Sequence, residues 1–230
     1  MIAARNLLNY LIKDLHYTSF CEIGYANGGT IESINLPLEQ KVSVDPSPDL
    51  TTAHVRDVHT SPGFGRRYCK HDLRLMTSDR FFETNERQFD LFLIDGDHSY
   101  EQVYRDIQNS LKFLSPDGVI FCHDAAPLFE YLTLSNDNCG DGYKALLRLR
   151  TEENDLSVYA LNEYITQHGP HDNSGYGIIF RQYQEPWKDK LNLDDKNFNA
   201  YKYMKNNKEI LSFIKFKDVL ELIKERNRNL

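Results

Sequence analysis

Apolar positions recur at two spacings along this chain. Leu7, Leu8, Leu11, Ile12 and Leu15 share one side of residues 3–16 and predict an amphipathic helix. Residues 19–23 and 41–44 are short, mostly apolar stretches, each predicted as a strand. Residues 66–70 are expected as a third strand, and Phe81 and Phe82 as part of a helix capped by Thr77 or Ser78. Leu91 to Ile94 is an apolar run that ends in an acid. Val103, Ile107, Leu111 and Leu114 follow at helical spacing, and Gly118 to Cys122 is a second run ending in His123-Asp124. Strand, helix, strand is the unit that sets parallel strands side by side.

Beyond it, the pattern predicts a helical stretch beginning over 125–131, a flexible break at 135–142 and a helix over 143–150. Residues 156–161 and 177–180 are strand-like, with a polar connection at 162–175 between them. They are expected to form a terminal antiparallel hairpin on a mostly parallel α/β sheet. After Gln184 a charged linker runs through Lys196, and Ile210, Phe213, Ile214, Leu220 and Ile223 then recur at helical spacing. The expected division is a domain over 1–183 and a helical C-terminal extension over 184–230.

Composition narrows the class. With 230 residues, 40% hydrophobic and 27% charged, the chain reads as a soluble globular protein with one main core. A net charge of −7 argues against a nucleic-acid binder. Residues 184–230 depart from it with 11 basic and 8 acidic groups, which leaves open a homodimer contact through the C-terminal helices. No apolar run is long enough to span a bilayer, and the first residues lack the pattern of a signal peptide, so a membrane partner is not expected. Cys21, Cys69, Cys122 and Cys139 form no CxxC pair, and buried free thiols in a reducing, cytoplasmic setting are expected.

The candidate chemistry lies at the strand ends, where open α/β sheets bind ligands. The first strand runs into Glu22-Ile-Gly24-Tyr25-Ala26-Asn-Gly28-Gly29-Thr30, a Gly-rich turn before a predicted helix. Such a turn lets the backbone approach a ligand and exposes amide groups. Its Gly-x-x-x-Gly spacing differs from the dinucleotide Gly-x-Gly-x-x-Gly. Asp45 ends the second strand, where an acid can bind ribose hydroxyls or cap a turn before Pro46. Asp95, Asp97, His98, His123 and Asp124 crowd the ends of the two central strands. Simpler roles exist for the histidines: His98 as a helix cap, His123 as a hydrogen-bonded strand end.

Together, the segment Glu22 to Thr30, Val44-Asp45-Pro46, the segment Phe89 to Tyr100 with its Ile-Asp-Gly-Asp-His-Ser-Tyr, and the segment Gly118 to Asp124 resemble class I S-adenosylmethionine-dependent methyltransferases. The Ile-Asp-Gly-Asp-His-Ser-Tyr segment and residues 140–150 are similar to the methyltransferase 24 group, related to sugar and catechol O-methyltransferases. The resemblance implies a Rossmann-like, seven-stranded sheet with helices on both faces. It implies cofactor contacts at Glu22, Gly24, Tyr25, Ala26, Gly28, Asp45, Ser78 and Asp95. It also implies a divalent cation, magnesium or manganese, on Asp95 and Asp124.

The third ligand of such enzymes is an Asn one position after the second acid or an Asp one position before it. Those positions are Ala125 and His123 here, so His123 is the candidate replacement. Asp97 and His98 align with the general bases of the sugar and catechol enzymes respectively. The expected activity is O-methylation of a sugar or glycan hydroxyl. The alternatives are metal-free transfer to a catechol-like small molecule, a Rossmann-type oxidoreductase, and a non-catalytic relative acting through its tail.

Overall fold

The computed structural model describes residues 4–47, 71–161 and 174–228. The expected strand over 66–70 and most of the connections at 46–65 and 162–175 lie outside these residues. Helix α1 spans Ala4–Leu15, strand β1 Phe20–Ile23, α2 Gly29–Glu32, β2 Lys41–Val44, β3 Asp72–Arg74 and α3 Ser78–Thr84. Then follow β4 Phe89–Ile94, α4 Tyr100–Phe113, β5 Leu114–Cys122, α5 Tyr143–Glu152, β6 Leu156–Leu161, β7 Tyr176–Arg181, α6 Ala200–Asn206 and α7 Phe216–Arg228.

The described strands form one seven-stranded sheet in the order β3-β2-β1-β4-β5-β7-β6. The first five are parallel, and β7 inserts antiparallel between β5 and β6. This is the expected terminal hairpin on a Rossmann-like sheet. Strand order reverses between β1 and β4, the place where such sheets bind ligands. Register makes that place compact. Ile23 pairs with Val44 on one side and Ile94 on the other, and Ile94 pairs with Cys122. The residues that follow, Gly24, Asp45, Asp95 and His123, therefore leave the sheet in one row.

Central strands read as unbroken apolar runs because both faces are covered. Phe92, Ile94, Ile120 and Cys122 pack with α3, α4 and α5 on one face, while Leu91, Leu93, Val119 and Phe121 pack with α1 and α7 on the other. Cys21, Cys122 and Cys139 are buried free thiols. No helix among the described residues is long and apolar enough to cross a membrane.

Three expectations change. Residues 125–131 form no α-helix; a 3-10 turn at Glu130–Thr133 stands there instead. The 135–142 segment is folded tightly, with Cys139 fully buried. The tail's single helical stripe is broken: Ile210 lies in a 3-10 turn, and Ile214 makes a parallel bridge to Leu161. The tail also joins both cores. Arg150 donates to the Ile210 and Glu185 carbonyls at 2.9 and 3.0 Å. Val219 and Ile223 are fully buried in the cluster that contains Leu7 and Leu11, so the apolar face of α7 is spent inside its own fold. Ile223→Ala is accordingly expected to cost about 2–4 kcal/mol of unfolding free energy, read as a lower urea midpoint. A solvated appendage would give a change within about 0.5 kcal/mol.

Candidate active site

At the reversal point the tips of β1, β2 and β4 enclose a cleft of about 450 Å³. Gly24 shapes its floor. Its φ is +95°, and a Cβ there would stand 2.1 Å from the Asp95 carbonyl oxygen, so only glycine lets the first turn lie against the β4 tip. Asp45 holds the turn from the other side. One of its carboxylate oxygens accepts from the Tyr25 and Ala26 amides at 3.0 and 3.1 Å, and the other from the Ser47 amide at 2.7 Å. A carboxylate has about four acceptor positions, so one remains for a ligand hydroxyl.

Of the residues expected to bind cofactor, Gly24, Ala26, Asp45, Ser78 and Asp95 line this cleft, whereas Glu22, Tyr25 and Gly28 do not. Glu22 is 2% exposed inside β1, and the Ser43 hydroxyl donates to it at 3.4 Å. Burial, reinforced by the negative charge of Asp95, pushes its carboxyl well above the usual range. Ser43 also meets His71 Nε2 at 2.9 Å, and burial beside Lys41 pushes His71 down to about 4. Glu22, Ser43 and His71 thus form a buried polar chain beneath the turn. The cap expectation for α3 holds at Thr77, whose hydroxyl accepts from the Arg80 amide at 3.3 Å.

The sequence reading missed the far wall, where Gln102 and Asp106 of α4 join Ser78. Gln102 donates to Ser78 Oγ at 3.1 Å and to Asp106 Oδ1 at 3.0 Å. The signal was available: Asp106 adjoins Ile107 on the buried stripe of α4, where an acid is out of place. Asp106 is 1% exposed, and burial pushes its carboxyl up to about 6 against the Ser78 and Gln102 hydrogen bonds. A raised folded value means stability that is present below the unfolded value, near 4, and lost as pH rises through 6. Asp106→Asn is therefore expected to stabilise the fold by about 2–3 kcal/mol at pH 8 and by nothing at pH 4, measured by urea titration at both.

Beside the cleft, Asp95, His98 and Asp124 converge. A ligand atom from each lies within 4.8 Å of the other two. Asp124 adopts a left-handed φ of +52°, a conformation in which Asp is over-represented. The segment beyond it is clamped: Ala125 and Ala126 donate to the Gly175 and Ser174 carbonyls at 3.3 and 2.8 Å, and the Ser174 hydroxyl donates to Asp124 Oδ1.

His98 is oriented by the 135–142 segment. Its Nδ1 meets the Asn136 carbonyl at 3.1 Å and also the Asn138 carbonyl, which places a proton on Nδ1. Its Nε2 then stands 3.7 Å from Asp95 Oδ1 and 3.7 Å from Asp124 Oδ2, buried and without a hydrogen bond. His98 is thus no helix cap. Asp141 caps Tyr100 at 2.8 Å, and Asp97 accepts from the Ser99 amide at 2.7 Å while remaining exposed on the cleft wall.

His123 Nδ1 lies 3.0 Å from Asp95 and 3.2 Å from Asp124, with its ring edge-on to Tyr176. Burial works against both carboxylates, yet the His123 charge holds each below the usual range. The carboxylates in turn raise His123 and His98 against the opposing effect of burial. Two acids and two imidazoles thus compensate one another in a half-buried cluster, a donor set of the kind that ligates divalent metals.

Known proteins share this fold. Residues 21–125 match a family described as a methyltransferase domain. No curated protein sequence matches the chain at a significant level. Among solved structures, the chain is similar to the S-adenosylhomocysteine-bound methyltransferase PaMTH1 of Podospora anserina, with a TM-score of 0.56 and 18% identity over 77% of each chain. It is also similar to the O-methyltransferase TomG of Streptomyces achromogenes, crystallised with S-adenosylmethionine, with a TM-score of 0.54 and 12% identity over 76% of this chain and 78% of that one. A third likeness is to an O-methyltransferase of Bacillus cereus in complex with S-adenosylhomocysteine, with a TM-score of 0.52 and 15% identity over 76% and 79%. The match to a methyltransferase domain spans 105 of the 230 residues, and the antiparallel strand inserted between β5 and β6 sets this sheet apart from an all-parallel dinucleotide fold.

Proposed function

We propose that this chain transfers the methyl group of S-adenosylmethionine to a hydroxyl of a sugar or glycan, with a divalent cation at Asp95 and Asp124. Asp95 carries the reading. It lines the cleft and also belongs to the acid–imidazole cluster, so a donor in one and a hydroxyl at the other would meet across one residue. Methyl transfer from a sulfonium needs alignment more than activation, and alignment is what this rigid row of strand tips supplies.

In this reading the turn at 24–28 takes the amino-acid portion of the cofactor, and the open acceptor position of Asp45 takes a ribose hydroxyl. Ser78, Gln102 and Asp106 enclose the base. Two half-buried carboxylates beside a buried imidazole nitrogen fit a divalent cation. Bound there, the cation would lower the pKa of the acceptor hydroxyl and orient it. Asp97 takes the hydroxyl proton: it is exposed on the cleft wall, whereas His98 has one nitrogen committed to backbone carbonyls and the other turned to the carboxylates.

A carbohydrate acceptor rests on the resemblance of the Ile-Asp-Gly-Asp-His-Ser-Tyr segment to sugar O-methyltransferases; Phe129 and Tyr131, which follow Asp124 in sequence, are compatible with it. Both are half exposed, and their rings stack at 5.6 Å and 13°. Such rings offer apolar faces to the C–H surface of a sugar and a polar tip to its hydroxyls. The test is calorimetric titration with S-adenosylhomocysteine, expected to show micromolar binding that Asp45→Ala, at a residue lining the cleft, weakens strongly. It is followed by labelled methyl transfer to a panel of sugars with magnesium or manganese. Absence of binding overturns the methyltransferase reading. Transfer that survives EDTA removes the cation, and transfer to catechols alone removes the glycan.

A further inference from the structure

We infer that His98 is a ligand of the divalent cation, the third protein donor beside Asp95 and Asp124, and that its nitrogen makes the centre select a first-row transition ion over magnesium. The inference rests on the cation in the proposed function and deepens it. Three observations carry it.

The first is convergence. Atoms bound to one ion through bonds of about 2.1 Å stand roughly 3.0–3.4 Å apart. His98 Nε2 is 3.7 Å from each carboxylate, so a small closure suffices. The second is the orphaned atom: Nε2 is buried and makes no hydrogen bond, as is also true of His123 Nδ1, and such a position costs free energy unless a proton shared with the acids or a metal fills the gap; what separates the two imidazoles is the orienting contact. The third is the orienting contact. Metal-bound imidazoles almost always donate their other N–H to a carbonyl or carboxylate, which sets the tautomer. His98 Nδ1 has the Asn136 and Asn138 carbonyls for this purpose.

The folding of 135–142 around His98 preserves that contact. Gly140 has φ of +50°, and a Cβ there would stand 2.6 Å from the His98 carbonyl oxygen. His123 has no comparable anchor among the described contacts. Its Nδ1 stands between the Oδ1 atoms of both acids as a cationic partner would, which makes it a compensating charge beside the centre. Imidazole nitrogen suits cobalt, zinc or iron, and magnesium prefers oxygen and water.

The experiment is titration of the metal-free full chain with cobalt(II), zinc(II), manganese(II) and magnesium(II), by calorimetry and by cobalt absorption. Cobalt and zinc are expected to bind at least 100-fold more tightly than magnesium. His98→Gln should lose at least ten-fold in cobalt affinity and change the absorption bands. His98→Asp, with an oxygen donor, should narrow the gap between cobalt and magnesium. Proton NMR of the cobalt protein should show a far-downfield, slowly exchanging resonance from the His98 Nδ1–H that His98→Gln removes, a signal that a purely structural histidine does not produce.

Equal affinity for cobalt and magnesium, unchanged in His98→Gln, overturns the inference and leaves the cation standing. No binding of any ion overturns both; micromolar S-adenosylhomocysteine binding in the same sample shows that the methyltransferase reading survives.

Discussion

Asp45→Ala is expected to weaken S-adenosylhomocysteine binding by at least 100-fold while the protein stays folded. The carboxylate does two jobs. It accepts from the Tyr25 and Ala26 amides at 3.0 and 3.1 Å and so holds the Gly-rich turn against the cleft. In the proposed complex it also accepts from a ribose hydroxyl. Hydrogen bonds to a charged group contribute about 1.5–3 kcal/mol each. Part of the loss falls on the folded turn, where water replaces the carboxylate, and shows as a modest drop in melting temperature. The part expressed in binding, about 3 kcal/mol or more, corresponds to the 100-fold. Asp45→Asn keeps one acceptor oxygen, so it should fall between wild type and alanine. Calorimetry on the three proteins, with thermal melts alongside, decides the matter. An alanine variant that binds like wild type would take Asp45 out of the cofactor site.

The second large effect is on turnover. Asp97→Asn is expected to lower kcat for the sugar acceptor by 10²–10⁴-fold, the usual span for loss of a positioned general base. KM and S-adenosylhomocysteine affinity should change by no more than about three-fold, because an amide keeps the size of the side chain and can still accept the 2.7 Å hydrogen bond from Ser99. Excess metal should not restore the rate. His98→Gln should behave in the opposite way, recovering much of its activity as cobalt or manganese is raised, because the defect lies in holding the ion. A full-rate Asp97→Asn enzyme would return the proton to His98.

Much of the site was legible because it sits at strand ends. An apolar run that stops at an acid marks both a buried strand and its polar tip, and parallel register then lines those tips up. That logic brought Gly24, Ala26, Asp45 and Asp95 to one cleft and Asp95 to Asp124. It says less where a side chain's surroundings come from distant segments. For Glu22, expected as a cofactor contact, the neighbouring strand supplies the surroundings: it lies inside β1, one position before the strand's last residue, and accepts from the Ser43 hydroxyl. Asp106 was hidden in a helix read only for its apolar stripe. The tail's apolar residues followed helical spacing, but packing against the sheet edge at Leu161 extended Ile214 and broke the stripe.

By itself, the sequence determined the central strand–helix–strand unit, the terminal hairpin, the glycine turn, the acids at the strand tips and the family resemblance. Each is set by periodicity or by residues close together in the chain, where backbone geometry leaves few choices. The tertiary structure alone decided which way each imidazole faces. His98 is turned by carbonyls some forty positions away, and His123 is placed between two carboxylates from different strands. A side chain's rotamer and tautomer follow the hydrogen-bond partners that folding brings to it, and these partners leave no period in the sequence.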